Sequence, residues 1–182
     1  FSLKDNVDVI VASQELEGGA GYDYNGIFRI LENTPTQVTA EQFASHIVDV
    51  YQESYRTGDG FDDTTSALRT SNIAAIATAL EQLSAAALSN DATDQDWQGI
   101  VGAVTSSAVY HQSYLRDLGH FLTGIVRDSS IADTIRSAAD NVVQALNSAI
   151  VNKTNDRRSS SGSTIYLPGN TEVDGYATEY SD

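Results

Sequence analysis

The side chains best placed to do chemistry lie in Ser13 to Tyr24, which reads SQELEGGAGYDY. Glu15, Glu17 and Asp23 bring three carboxylates together, and Gly18, Gly19 and Gly21 leave the backbone free to take positive φ. Tyr22 could wall a pocket or stack on a guanidinium, or pack the loop onto the body of the fold. Each carboxylate could equally be a solvated loop charge, the usual state of such residues. The loop follows VDVIVA, a β-branched and almost continuously apolar run at Val7–Ala12. Such a run reads as a strand covered on both faces, as in a parallel sheet. Ligands of open α/β sheets bind outside the carboxyl ends of the strands, where this loop falls.

Other residues with chemical potential are scattered. His46, His111 and His120 all fall in helical stretches, away from the loop, and read as structural or surface residues, since a general base needs hydrogen-bond reach to a nucleophile. Asp59, Asp62 and Asp63 in GDGFDD form a hard-oxygen cluster that could hold calcium, but their spacing does not fit an EF-hand loop, so a charged solvent loop is the plainer reading. The serines of RRSSSGS have neither a G-x-S-x-G setting nor a paired base, which argues against a serine hydrolase. Arg157 and Arg158 mark either an exposed cut site for a basic-specific protease or a plain linker.

The chain of 182 residues has length enough for one domain with its own core, and no apolar run in it approaches a membrane span. A net charge of −15 repels nucleic acid and anionic membranes, steers basic ligands inward and suits an extracellular protein. With no cysteine, the chain carries no disulfide, thiolate metal site or cysteine nucleophile of its own. With no methionine and a start at FSLKDNV, it reads as a processed or excised piece of a longer precursor, or as a fragment.

The elements that must position the loop follow from periodicity. A short helix is expected from about Asn25 to Glu32, ending near Pro35. Thr39 and Gln42 form a capping box ahead of a helix whose stripe is Phe43, Ile47, Val50, Tyr51 and Tyr55. TTSALRT reads as a second strand. Helical stripes follow at Ile73, Ile76, Leu80, Leu83 and Ala87; at Trp97, Ile100, Val101 and Val104, capped by Thr93; at Leu115, Leu118, Phe121, Leu122 and Ile125; and from Ile131 to Ala149. Residues 153–162 read as a flexible linker, and STIYLPGN as a third strand stopped by Pro168 and Gly169. Three strands so far apart need partners supplied elsewhere, so this chain holds only part of a sheet.

In this order the landmarks resemble a known family. VASQELEGGAGYDY is similar to the strand and loop that follow the catalytic cysteine in clostripain-family cysteine peptidases, where the pattern runs VASEE and then PGDGWDY. TTSALRTSNIAAI, SYLRDLGHFL and STIYLP resemble later segments of the same catalytic domain. The resemblance covers about Val9 to Pro168. It implies a caspase-like α/β fold, a mostly parallel sheet flanked by helices with a helix-rich C-terminal half. Residues 1–182 would be the downstream part of one catalytic domain. It also implies a Cys–His dyad that activates a thiolate, with both residues supplied by an upstream chain or segment. The implied protein is a secreted, prokaryotic endopeptidase acting on peptides or proteins, with no nucleic-acid partner, no membrane span and no certain cofactor, calcium being possible.

By the same resemblance the substrate-binding positions are Glu17, Ala20, Tyr22 and Asp23. Carboxylates there would pair with a basic substrate side chain. Ala20 stands where the family pattern has an aspartate, a departure that Glu17 or Asp23 would have to offset. Tyr22 stands at the family's loop tryptophan. Two alternatives remain beside the peptidase: a catalytically inactive homologue or extracellular assembly protein on the same fold, and a helical assembly domain. One sheet holding both Val9–Ala12 and Thr164–Leu167 would separate the helical domain from the others.

Overall fold

The computed structural model describes residues 6–32, 35–56, 64–155 and 158–168. Strand β1 is Val9–Ala12, followed by the acidic loop, helix α1 at Tyr24–Phe28 and a 3-10 turn at Arg29–Leu31. Helix α2 is Ala40–Tyr55 and β2 is Ser66–Arg69, and a 3-10 turn at Thr70–Asn72 leads into α3 at Ile73–Ala87. Helix α4 is Asp94–Ser106, β3 Leu115–Asp117, α5 Leu118–Arg127, α6 Asp133–Ala149, β4 Ile150–Lys153 and β5 Thr164–Tyr166.

Local chemistry sets several of these boundaries. Thr39 accepts from the Gln42 backbone N–H while the Gln42 side chain accepts from the Thr39 N–H, so two orphan amides of α2 are satisfied together. The same reciprocal pair starts α4 at Thr93 and Asp96. Asp96 also accepts from the Ala132 N–H at 2.6 Å and so pins the entry to α6. Its carboxyl is held below the ordinary range by the Thr93 hydroxyl first, then by the Thr93 and Ala132 amides, with burial opposing them.

Two cores result. The larger joins α3, α4, α5 and α6 around Leu122, Ile125, Ile135, Val142 and Leu146. The smaller lies between α2 and the sheet, where Ala44, Val48 and Ala67 meet Val9, Val11 and Val151. Between the cores, β1, β2 and β4 form a sheet in that order, with Val11 opposite Ala67 and Ser66 opposite Lys153. The register slips between Ala67 and Leu68, leaving Val151 as an extra residue on β4. Ile150 packs against the helical core and Val151 joins the α2 core, while past the bulge Asn152 also faces α2 and donates to Ser45 and Asp49. A separate two-stranded ribbon pairs β3 with β5, Leu115 opposite Tyr166.

Several expectations need correction. Every strand pairing among the described residues is antiparallel, because β2 returns between β1 and β4, so the expected parallel arrangement is not made by the described strands. Strands β1 and β5 lie in different sheets, and the common sheet expected for them is not formed. Val9, Ile10 and Val11 are half-buried rather than covered on both faces. On α2 the buried residues are Ala44, Val48 and Tyr51, one position round from much of the predicted stripe. Trp97 and Val101 are exposed, and Ile100 and Ala103 carry the inner face of α4. Strands β3 and β4 were not expected at all, since Leu115 was assigned to a helix. The stretch 153–162 is tied down at its described residues: Lys153 closes β4, and Thr154 and Ser160 are each 2% exposed.

Candidate functional site

The loop between β1 and α1 is fixed from two sides. Where it leaves β1, the Thr64 hydroxyl accepts from the Gln14 N–H at 3.1 Å and the Glu15 N–H at 2.8 Å, and lies 2.9 Å from the Ser13 hydroxyl. Farther along, the Tyr51 hydroxyl accepts from the Gly18 N–H at 3.1 Å, and Tyr55 donates to the carbonyls of Gly18 and Gly21, both at 2.9 Å. Gly18 is buried, and a Cβ there would fall inside the Tyr55 ring. Gly21 has φ +71, a conformation glycine takes without steric cost. Two of the loop's glycines are therefore accounted for by close approach and by turn geometry.

The predicted site residues divide. Tyr22 packs on Tyr51 with ring centroids 4.9 Å apart and donates its hydroxyl to Glu17 at 2.6 Å. Burial first, and then the neighbouring Glu17 carboxylate, push its phenol well above the ordinary tyrosine range. Asp23 caps α1 by accepting from the Gly26 N–H at 3.0 Å, a structural use of that carboxylate. It also borders a cavity of about 350 Å³ with Arg29 and Glu53. Ala20 is exposed beside Gly19 and Gly21. Tyr22 and Glu17 are thus brought together, while Asp23 is turned to the helix start.

The second, denser constellation was not foreseen. Asp117, at the junction of β3 and α5, is completely buried. Its Oδ1 accepts from the His120 N–H at 2.8 Å. Its Oδ2 accepts from the Ser161 N–H at 2.7 Å, the Tyr110 hydroxyl at 2.7 Å and the Gln14 side chain at 3.2 Å. Burial opposes its charge most strongly, yet the Ser161, Tyr110 and His120 donors together hold the carboxyl below the ordinary range. Asp117 therefore ties the loop after β1 to the segment before β5. Beside it Arg158 reaches Glu15 at 3.2 Å and the Val109 carbonyl at 2.7 Å, with its guanidinium 5.7 Å from the Tyr110 ring centre. The readable signal for Asp117 was an aspartate directly before the apolar run LGHFL, an N-cap pattern.

Two of the three histidines meet backbone carbonyls and the third lies at the surface. His46 donates through Nε2 to the Gly26 carbonyl at 3.0 Å, and His120 lies 3.2 Å from the Ser159 carbonyl, while His111 is exposed. Among the described residues no three of His, Asp or Glu could together hold a metal ion, and Asp59, Asp62 and Asp63 lie outside them. Arg157 also lies outside them, and Arg158 is held rather than exposed as a free cut site.

This architecture is the caspase-like α/β fold of solved C11 cysteine proteases. A B. fragilis cysteine protease is similar with a TM-score of 0.64 and 16% identity, over 98% of this chain and 76% of that one. A secreted C11 cysteine protease from Bacteroides thetaiotaomicron, solved with an irreversible peptide inhibitor, gives 0.63 and 15%, over 99% of this chain and 52% of that one. An inactive zymogen C11 protease from Parabacteroides distasonis gives 0.66 and 13%, over 98% and 51%. The chain thus spans about half the length of two of these structures. Comparison with curated proteins gives no match. The clostripain family model matches residues 1–182, and the chain belongs to the clostripain family.

Proposed function

We propose that this chain is the downstream part of the catalytic domain of a secreted cysteine endopeptidase, and that it lends substrate-facing loops to a Cys–His dyad carried by an upstream segment. The observation that supports this reading most is the family match across the whole chain, together with the gathering of fixed polar loops at the carboxyl end of β1. A dyad needs a rigid floor against which a peptide is held at near-attack geometry. The loop after β1 is braced by Thr64, Tyr51, Tyr55 and, through Gln14, by Asp117. Its exposed face at Glu17 and Ala20, walled by Tyr22, is the stretch proposed to meet the substrate side chain. The substrates are peptides or proteins, and the secreted location fits the description of one structural neighbour. Calcium dependence is proposed only for the Asp59, Asp62 and Asp63 stretch, and a chelator would test it.

The experiment is a thiol-directed peptide probe applied to the full-length protein, with cleavage of a quenched peptide library measured in parallel. Labelling of one cysteine upstream of Phe1, with loss of cleavage on its replacement by alanine, is the expected result. A full-length protein with no reactive thiol and no cleavage supports the second reading, a non-catalytic homologue, which the alanine at position 20 favours.

A further inference from the structure

Helices α3 and α4 follow one another in the chain, yet α3 packs chiefly on α6 and α4 on α5. The two diverge and leave an apolar trough of about 240 Å³, none of whose walls belongs to the loop after β1. Leu80 and Leu88 of α3, Trp97 of α4, Phe121 of α5 and Ile165 and Leu167 of β5 line it, and Ser84 is the one polar residue in the lining among the described residues. Its rim stays apolar where a surface ordinarily turns polar. Leu88 is 73% exposed and Trp97 42%, and Val101, one helical turn beyond Trp97, is 59% exposed. Single exposed apolar side chains are ordinary, but these continue one trough, which is the pattern of a docking surface. Tryptophan is also among the residues that most often anchor an interface.

The charge on the two helices has one sign. Residues 70–115, which include α3, α4 and the turn between them, contain no lysine or arginine, although the chain has ten. Exposed on this stretch are Glu81 on α3, Asp91 in the turn and Asp94 at the start of α4. Asp96 is engaged by the Thr93 cap and the Ala132 amide. On the far wall, Arg116 lies across the ribbon from Ile165 and donates to the Ser107 carbonyl at 3.3 Å. Arg127, two residues beyond Ile125, falls on the other side of α5. A second copy of this chain would bring like charge to the acidic rim, whereas a basic partner would be drawn to it.

We propose that the trough between α3 and α4 is a docking groove for a helix of a partner protein, one that carries large apolar side chains on one face and lysine or arginine beside them. The apolar face of that helix displaces water from Leu80, Leu88 and Trp97, and its basic flanks meet Glu81, Asp91 and Asp94. The inference does not depend on a dyad, because it concerns binding at a separate face.

The test is 19F NMR of the full-length protein labelled with 5-fluorotryptophan. Trp97 is the only tryptophan in this chain, and its signal is the one lost in Trp97→Phe. The probes are a helical peptide of leucine and lysine, about 18 residues or five turns long, and its counterpart with glutamate in place of lysine. The lysine peptide is expected to move the Trp97 signal and to saturate at one peptide per protein, while the glutamate peptide leaves it in place. Leu88→Gln, a change at an exposed position, weakens the lysine peptide about tenfold, the effect of losing roughly one buried leucine. Val101→Gln serves the same purpose if Leu88→Gln does not fold. A signal that neither peptide moves, the result if another part of the protein covers the trough, overturns the proposal. Equal effects of both peptides, undiminished binding in the glutamine variant, or a signal that moves on dilution alone, the mark of a second copy, overturn it as well.

Discussion

Asp117→Asn is the perturbation whose outcome follows most directly from the geometry. Asp117 accepts four hydrogen bonds and donates none. Asparagine keeps the shape but turns one oxygen into a donor. If its oxygen stays on the His120 amide, its NH2 faces the Ser161 N–H, the Tyr110 hydroxyl and the Gln14 amide. Tyr110 can rotate its hydroxyl to accept, and Gln14 can turn to present Oε1, which is buried without a hydrogen-bond partner. The backbone N–H of Ser161 cannot turn. At least one buried donor is stranded, at about 1–3 kcal/mol, and the remaining bonds lose their charge assistance, so a total near 3 kcal/mol is expected. Urea unfolding at pH 7 measures it as a lower midpoint with unchanged slope. The pH dependence adds a second check. The folded carboxyl lies below its ordinary range, so its contribution is full above an unfolded pKa of about 4 and is lost as pH falls through the folded value. The gap between wild type and Asp117→Asn must therefore narrow in acid. A loss under about 1 kcal/mol at pH 7, or a gap that stays constant down to pH 2.5, would refute this account of the network.

Two further outcomes follow. Gly18→Ala drives a methyl into the Tyr55 ring, which two carbonyls hold in place, so thermal melting should report a loss of about 2 kcal/mol, and a neutral result would show that the loop can shift. Tyr22 is kept protonated beyond ordinary tyrosine titration by burial and by Glu17. Tyr22→Phe should therefore leave the phenolate absorbance gained up to pH 11 unchanged, and a drop equal to one tyrosine would contradict the half-buried placement against Glu17.

What was legible in the sequence was local. The Thr39–Gln42 box, the Thr93 cap and the β-branched run of β1 each carry their cause within a few residues. Strands β3 and β4 were hidden because each abuts a helix. Ile150 directly continues the stripe of Val142, Leu146 and Ala149, and Leu115 falls three residues before Leu118, so both strands were masked by helical spacing. The antiparallel order was hidden because Val9 finds its partner at Arg69. Asp117 was visible as a cap, but its other donors come from positions as remote as Gln14 and Ser161. Asp23 carries a structural use that its neighbours already announce, because the adjacent helix start takes one of its carboxylate oxygens.

The fate of the loop's carboxylates bears on selectivity. Asp23 is engaged by the start of α1, Glu15 by Arg158 and Glu17 by the Tyr22 hydroxyl. These partners are not equally hard to displace. A basic substrate side chain competing for Glu15 must expel a guanidinium that also contacts the Val109 carbonyl and the Tyr110 ring, and one competing for Asp23 must uncap a helix. At Glu17 it meets only a neutral hydroxyl at the protein surface, and it gains a charge-assisted bond in exchange. With alanine at position 20, Glu17 is then the loop carboxylate that the proposed function would turn to a basic side chain most readily. A preference of the full-length protein for basic side chains that falls with Glu17→Gln and is indifferent to Glu15→Gln is the expected result. The reverse pattern would refute this ranking of the carboxylates.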